Sequence, residues 1–191
     1  MTFKRTRCPL CKGKLEPGQR IHPDCIEPWA LEQEAKKERE AAKKARMAAK
    51  VERAEDRRKR EAFKTIPELI KEAQVAFNAF IRLRDQLAGR SCISSGRALD
   101  WSGNAVDAGH YRSTGAAPHL RFNEDNCHAQ SKFDNQWRAG NVVDYRIRLI
   151  ERIGIGRVEA LEADNRVHKW TREELIEIRD HYRAKVKEMR K

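Results

Sequence analysis

Hydrophobic and polar positions divide this chain into stretches of different kinds. From Ala30 to Lys64 nearly every residue is Ala, Glu, Lys or Arg, with no Gly or Pro. Glu32–Lys36, Glu40–Lys44 and Glu55–Lys59 each set an acid four residues before a base, the order that supports a helix. Apolar residues larger than Ala are essentially Leu31, Met47, Val51 and Phe63, too few for a buried stripe. The pattern predicts a solvated helical spacer, and ~35 helical residues separate their ends by about 50 Å. No sustained a/d repeat supports a coiled coil. The next stretch differs. Thr65-Ile-Pro-Glu68 is a capping box, and Ile66, Leu69, Ala73, Ala76, Phe80, Leu83 and Leu87 form one apolar seam at steps of three and four. Gly89 ends this core helix.

Beyond it the periodicity shortens. Gly103-Asn104 is a turn pair able to join two short strands between Trp101 and Tyr111. Leu120-Arg-Phe122 reads as a β segment, Asn123-Glu-Asp125 as a turn, and Ser131 to Arg138 as a helical start. Helices follow over Val142–Ile153 and Val158–Ala163, and Thr171-Arg-Glu-Glu174 caps a last one with a basic end from Arg183 to Lys191. The expected fold is mainly α with a small α+β unit. Its predicted parts are 1–29, a 30–64 charged helical linker, and 65–191.

Residues 1–29 carry Cys8-Pro-Leu-Cys11 and His22-Pro-Asp-Cys25. Two chelating hooks of this spacing can close a tetrahedral zinc site of three thiolates and one imidazole. So short a segment has no hydrophobic core of its own and needs the metal to fold. Four protein ligands leave no open position, so this single Zn²⁺ is structural. The alternative is a pair of incidental thiols in a terminal segment.

A second constellation lies between residues 107 and 135: Asp107-Ala-Gly-His110, then Asn126, then Asn135 nine residues later. A His, an Asn and a further His or Asn opening a short helix have the order of an HNH nuclease site, so the expected core is a ββα-metal (HNH-like) unit flanked by helices. Phosphodiester hydrolysis needs a base near neutral pH, which His110 provides. It also needs a hard cation, Mg²⁺ or Mn²⁺, for which an Asn135 oxygen is a suitable ligand. Asn126 is expected to strut the loop and orient the imidazole. HNH sites usually carry a carboxylate directly before the base; here that position is Gly109, and Asp107 is the displaced candidate ligand. Arg112, Arg121, His128, Lys132 and Arg138 are the candidate phosphate contacts around this centre. A structural role competes at His128, and is the expectation at His119, His168 and His181.

Charge agrees with a polyanionic partner. Lys and Arg number 41 against 29 Asp and Glu, giving +12 and a pI near 9.7. Such a field supplies sequence-independent affinity for nucleic acid. No segment approaches the ~18 apolar residues of a membrane span, and Met1-Thr-Phe-Lys-Arg5 lacks the apolar stretch of a signal peptide. No membrane partner is expected, and the chain is expected in a cytoplasm, with its five Cys as thiols or metal ligands.

Ala79-Phe-Ile-Arg82-x-Arg84-Asp85, Cys92-Ile-Ser, Asp107-Ala-Gly-His110-Tyr-Arg, Leu120-Arg-Phe-Asn-Glu124, Asn135-Gln and His168-Lys-Trp170-Thr resemble the NinG family of lambdoid phages, from about Ile66 to the C-terminus. The resemblance implies a phage- or prophage-encoded endonuclease that cuts branched recombination intermediates, D-loops and Holliday junctions. It also implies a ββα unit pinned by two C-x2-C pairs. Here those positions read Cys92-Ile-Ser-Ser95 and Ser131-Lys-Phe-Asp134, a poor zinc site, because hydroxyls do not readily deprotonate to bind zinc. Hydrogen bonds, or packing by Phe133 and Trp137, are expected to hold the helix instead, and Cys127 is expected to be a core thiol. A sequence-guided HNH nuclease and a non-catalytic zinc-finger DNA-binding protein are the alternatives. Cutting both arms of a junction needs two sites, which makes a homodimer compatible with the function.

Overall fold

The spacer helix begins earlier than its composition indicates. In the computed structural model, which describes residues 5–191 and only the backbone of Ala139, α1 runs Ile26–Phe63. The Met1–Lys4 part of the N-terminal readings lies outside the described residues. Pro28 falls in the first turn, where its missing N–H leaves no intrahelical bond unmade. The helix buries no residue, as its sparse apolar positions require. It grows directly from a single 3₁₀ turn, Pro23–Cys25. Before that turn the chain doubles back: Arg7 bridges Lys14, the Cys8 amide donates to the Gly13 carbonyl (2.9 Å), and Lys12 takes φ +61° at the bend.

Residues up to Phe63 form one compact unit and residues from Lys64 a second. In the second, α2 (Ile66–Leu87) starts at the capping box: the Glu68 carboxylate accepts from the Thr65 amide at 2.7 Å. Its buried face packs on α6 (Arg172–Met189): Leu69, Ala73, Ala76 and Phe80 of the expected seam are buried together with Phe77, Ile81 and Leu175, while the seam's two ends, Ile66 and Leu87, stay exposed. Phe77 meets Phe122 and Tyr182 edge-on, at centroid distances of 5.8 and 5.0 Å. Two further helices, α4 (Val142–Ile153) and α5 (Ile155–Ala163), pack Tyr145, Leu149, Val158 and Leu161 against Ile93, Ala117 and Leu120 in a second core. The helix expected from Val158 thus starts three residues earlier, after Gly154, which takes φ +86°.

The strands differ from the sequence expectation. β1 is Val106–His110 and β2 is Cys127–Ser131, antiparallel, with Asp107 opposite Gln130 and His110 opposite Cys127. Gly103 and Asn104 precede β1 without joining two strands, and Leu120 ends a 3₁₀ turn, Pro118–Leu120, in place of the expected β segment. Leu120 and Phe122 are apolar because they plug the two cores, not because they alternate in a sheet. β2 is almost entirely buried on both faces, so Cys-His-Ala-Gln-Ser carries no alternation to betray a strand. One face of the ribbon, with Ala108 and Cys127, lies on the α2–α6 core. The other carries Asp107 and Gln130, and α3 (Lys132–Trp137) follows β2 without a linker. Among the described residues, no helix is long and apolar enough to cross a membrane.

Candidate functional site

The N-terminal hooks converge. Ligand atoms of Cys8, Cys11, His22 and Cys25 all lie within 4.8 Å of one another, so the group could hold a structural zinc. His22 Nε2 meets the Lys14 carbonyl at 3.1 Å, so Nε2–H donates and Nδ1, 3.2 Å from Cys11 Sγ, keeps its lone pair for a metal. Gly13 is needed for the close approach: a Cβ there would stand 3.2 Å from His22 Cε1 and 3.4 Å from Cys11 Sγ. Burial pushes the Cys8 thiol up, but N–H donors of His22, Cys11 and Leu10 outweigh it and bring the pKa to about 6, a thiolate at neutral pH. Cys25 is pushed up to about 11 by burial and by the neighbouring Cys11 and Cys8, the repulsion a cation would relieve.

The second constellation separates into two faces of the ribbon. Asp107 and Asn135 meet: Asn135 Nδ2 donates to Asp107 Oδ2 at 2.9 Å, and Gln136 Nε2 reaches the same oxygen at 3.1 Å. His110 lies on the other face, as alternation along β1 dictates. Its Nε2–H donates to the Arg121 carbonyl (2.9 Å), its ring lies 6.1 Å from that of Phe77, and Nδ1 faces Cys127 Sγ at 3.7 Å. Burial lowers the His110 pKa, keeping the ring neutral with Nδ1 as its proton-accepting nitrogen.

Asn126 is completely buried and straps the loop between the strands. Its Oδ1 accepts from the Arg112 amide (2.8 Å), and Nδ2 donates to the carbonyls of Arg112 (3.0 Å) and Leu120 (3.2 Å). Leu120 adjoins Arg121, whose carbonyl holds His110, so the strap fixes the acceptor that sets the tautomer.

The expected phosphate contacts divide. His128 is only 4% exposed and out of reach of a phosphate: Nδ1 accepts from Arg84 Nη2 (3.0 Å) and Nε2–H donates to the Asp125 carbonyl (3.2 Å). Burial and the nearby Arg84 bring its pKa down to about 3. Arg112 is likewise spent on the chain itself, donating to the carbonyls of Leu161, Glu162 and Asp164 that end α5. Arg121 donates to Gln74 Oε1 and the Thr114 carbonyl. Lys132 and Arg138, at the two ends of α3, remain near the surface. His119 contacts Asp164 and His168 contacts Glu174, both structural positions.

The four degenerate positions beside the ribbon form a hydrogen-bonded clasp. Asp134 Oδ2 accepts from Ser131 Oγ (2.7 Å) and Cys92 Sγ (3.4 Å), and the Asp134 amide donates back to Ser131 Oγ (3.1 Å). Burial raises the Asp134 carboxyl, yet donation from Ser131, Ser95 and Cys92 lowers it overall, so it stays ionised. Phe133 and Trp137 do not pack the helix down, being 64% and 79% exposed. The clasp holds α3 without them. Cys127 is a core thiol at 0% exposure.

Arg84 and Asp85 belong to the site's support, a role the sequence reading did not assign. Asp85 Oδ2 accepts from the Ala129 amide (2.7 Å), and Arg84 donates to the carbonyls of Glu124 (3.2 Å) and Cys127 (3.0 Å), fixing α2 to β2. Gln136 was also missed, since nothing in a surface Gln beside Asn135 signals a contact across to β1.

The family model described as Bacteriophage Lambda NinG protein matches residues 1–191. The chain is similar to Protein ninG of Salmonella phage P22, 50% identical over 123 residues, which cover 63% of this chain and 57% of that relative. Protein ninG of Escherichia phage lambda is 48% identical over 123 residues, with the same coverage. Protein ninG of Escherichia phage 933W is 40% identical over 197 residues, covering 97% of this chain and 94% of the relative. The chain thus spans little more than half the length of the first two. No solved structure matches it.

Proposed function

From the chain's membership of the NinG family of lambdoid phages, we propose that it is a metal-dependent endonuclease acting on branched DNA during phage recombination, in the host cytoplasm. The observation that carries this is the Asp107–Asn135 contact, made across a β–β–α unit whose opposite face holds a neutral, oriented His110. A carboxylate that only accepts and an amide with its own oxygen are the donor types a hard divalent ion takes, and both side chains are partly accessible. Mg²⁺ or Mn²⁺ held there would polarise the scissile phosphate and stabilise charge on the leaving oxygen.

The chain's own residues supply the rest. His110 is the proposed base: its Nε2–H is fixed on the Arg121 carbonyl, which leaves Nδ1, now facing Cys127 Sγ at 3.7 Å, as the nitrogen the attacking water would have to reach. Asn126 keeps that carbonyl in place through the Leu120 contact. Lys132 and Arg138 offer cations for the phosphates flanking the cut, and the +12 charge draws the polyanion in. Cutting both strands of a junction calls for two such centres, hence for a homodimer on the substrate.

A second reading, a DNA-binding protein without catalysis, is favoured by one observation: His110 points into the aromatic core, away from Asp107 and Asn135. A substrate panel separates the two. The zinc-loaded chain is incubated with labelled Holliday junction, D-loop and linear duplex in Mg²⁺ or Mn²⁺. Cleavage of the branched substrates, abolished by EDTA, is expected. Binding without cutting in either metal supports the second reading, and cleavage at a fixed base sequence in linear duplex indicates a sequence-guided nuclease.

A further inference from the structure

We propose that α3 carries an aromatic platform for unpaired bases at a DNA branch point, formed by Phe133 and Trp137. This rests on the DNA-directed reading above and assigns it a recognition surface.

The two rings lie four residues apart, on one face of a six-residue helix. Both are largely open to solvent, at 64% and 79% exposure. Ordinary packing would bury them, and the Asp134 clasp already holds this helix from its other side. Two large rings side by side on one exposed face form a contiguous apolar patch, a surface that gains by being covered. Asn135 turns inward from the same helix to Asp107, so one short element carries both the candidate cation ligand and the platform.

Charge selects the occupant. Lys132 and Arg138 bracket the aromatic pair, and Arg138 keeps 58% of its side chain exposed. Aromatic faces interleaved with cations are the arrangement that stacks bases while holding their backbone. A second copy docked through this face would set its own Lys132 and Arg138 against these and is disfavoured here. Fully paired duplex offers its base faces only at the cost of unstacking, whereas unpaired bases at a branch point offer them at little cost. The platform therefore discriminates branched from linear DNA at the place where cutting is proposed.

The test is equilibrium binding of the full zinc-loaded chain without Mg²⁺, by fluorescence anisotropy, to three probes. These are a three-way junction with two unpaired thymines, the same junction with abasic sites in their place, and linear duplex. Wild type should bind the thymine junction about tenfold more tightly than the abasic one, the scale of a stacked base. Trp137→Ala should lose that advantage while binding linear duplex like wild type, and Trp137→Phe should keep most of it. Thermal melting of each variant checks that the fold is intact, and quenching of Trp fluorescence by the thymine junction, lost in Trp137→Ala, is an independent readout. Equal affinity of wild type for the thymine and abasic junctions overturns the proposal, as does a loss in Trp137→Ala shared by all three probes. A dimer in sedimentation that Trp137→Ala dissociates overturns it in favour of a second copy. Metal-dependent cleavage with no thymine advantage would leave the nuclease reading standing and remove the platform. A thymine advantage without any cleavage would do the reverse.

Discussion

Replacing Asn126 with Ala should destabilise the second unit more than any surface change near the site. The side chain is fully buried and makes three hydrogen bonds, to the Arg112 amide and to the carbonyls of Arg112 and Leu120. Truncation strands the Arg112 amide and carbonyl, while the Leu120 carbonyl keeps the Asn123 amide at 3.2 Å. An unsatisfied buried group costs ~1–3 kcal/mol, and partial access of water to Arg112 keeps the sum for these two groups to about 2–4 kcal/mol. For a unit of this size, each kcal/mol lowers Tm by roughly 3 °C, so the fall should be about 6–12 °C. Near-ultraviolet circular dichroism follows this unit through its aromatic clusters, apart from melting of the long helix. Asn126→Asp keeps the acceptor but loses both donations and buries a charge, and should be no better than Ala. A Tm within about 3 °C of wild type for Asn126→Ala would refute the strap.

Other expectations follow from particular groups. His110→Ala should bind junction DNA as wild type does and cut it ~10²-fold more slowly or worse, in single-turnover assays; unchanged turnover removes His110 from the mechanism. Dialysed protein should hold one zinc per chain by elemental analysis, and Cys11→Ser should abolish it; two zincs would mean that the Cys92–Asp134 clasp also binds metal. His128 makes stability fall in acid. Its folded pKa of about 3 lies below its ordinary 6.5, so the unfolded chain takes up the proton first, and stability is lost as pH drops from about 6.5 toward 3. At pH 5 that loss is about 2 kcal/mol relative to pH 7, with His110 adding in the same direction. Equal urea midpoints at the two pH values would contradict it.

The sequence revealed what depends on local periodicity and on ligand spacing. The charged helix, α2 with its capping box and the middle of its seam, the last helix and the Cys8/Cys11/His22/Cys25 group were legible, because each is set by neighbours a few residues apart. The strands were not. β2 is buried on both faces and lacks alternation, while Leu120 and Phe122 imitate a strand because two different cores claim them. Contacts made by tertiary folding were equally hidden. Arg112 and His128 look like phosphate ligands by type, and only the fold shows that α5 and Arg84 occupy them. Of the two expected ways of holding α3, the structure uses the hydrogen bonds and leaves Phe133 and Trp137 exposed, since the Ser131–Asp134 clasp is written in residues that resemble a damaged metal site.

The most direct test of the central claim is Mg²⁺-dependent cleavage of a labelled Holliday junction by Asp107→Ala, beside wild type and under single-turnover conditions. Asp107 is the carboxylate that meets Asn135, and its removal leaves that amide as the sole remaining member of the pair. Junction affinity without metal should be unchanged, while the cleavage rate should fall by ~10²-fold or more, as expected when a cation that stabilises the leaving oxygen loses its anionic ligand. Raising Mg²⁺ should recover part of the rate if affinity for the ion is what was lost. Wild-type cleavage by Asp107→Ala across the whole Mg²⁺ range would contradict the assignment of this pair as the catalytic cation site.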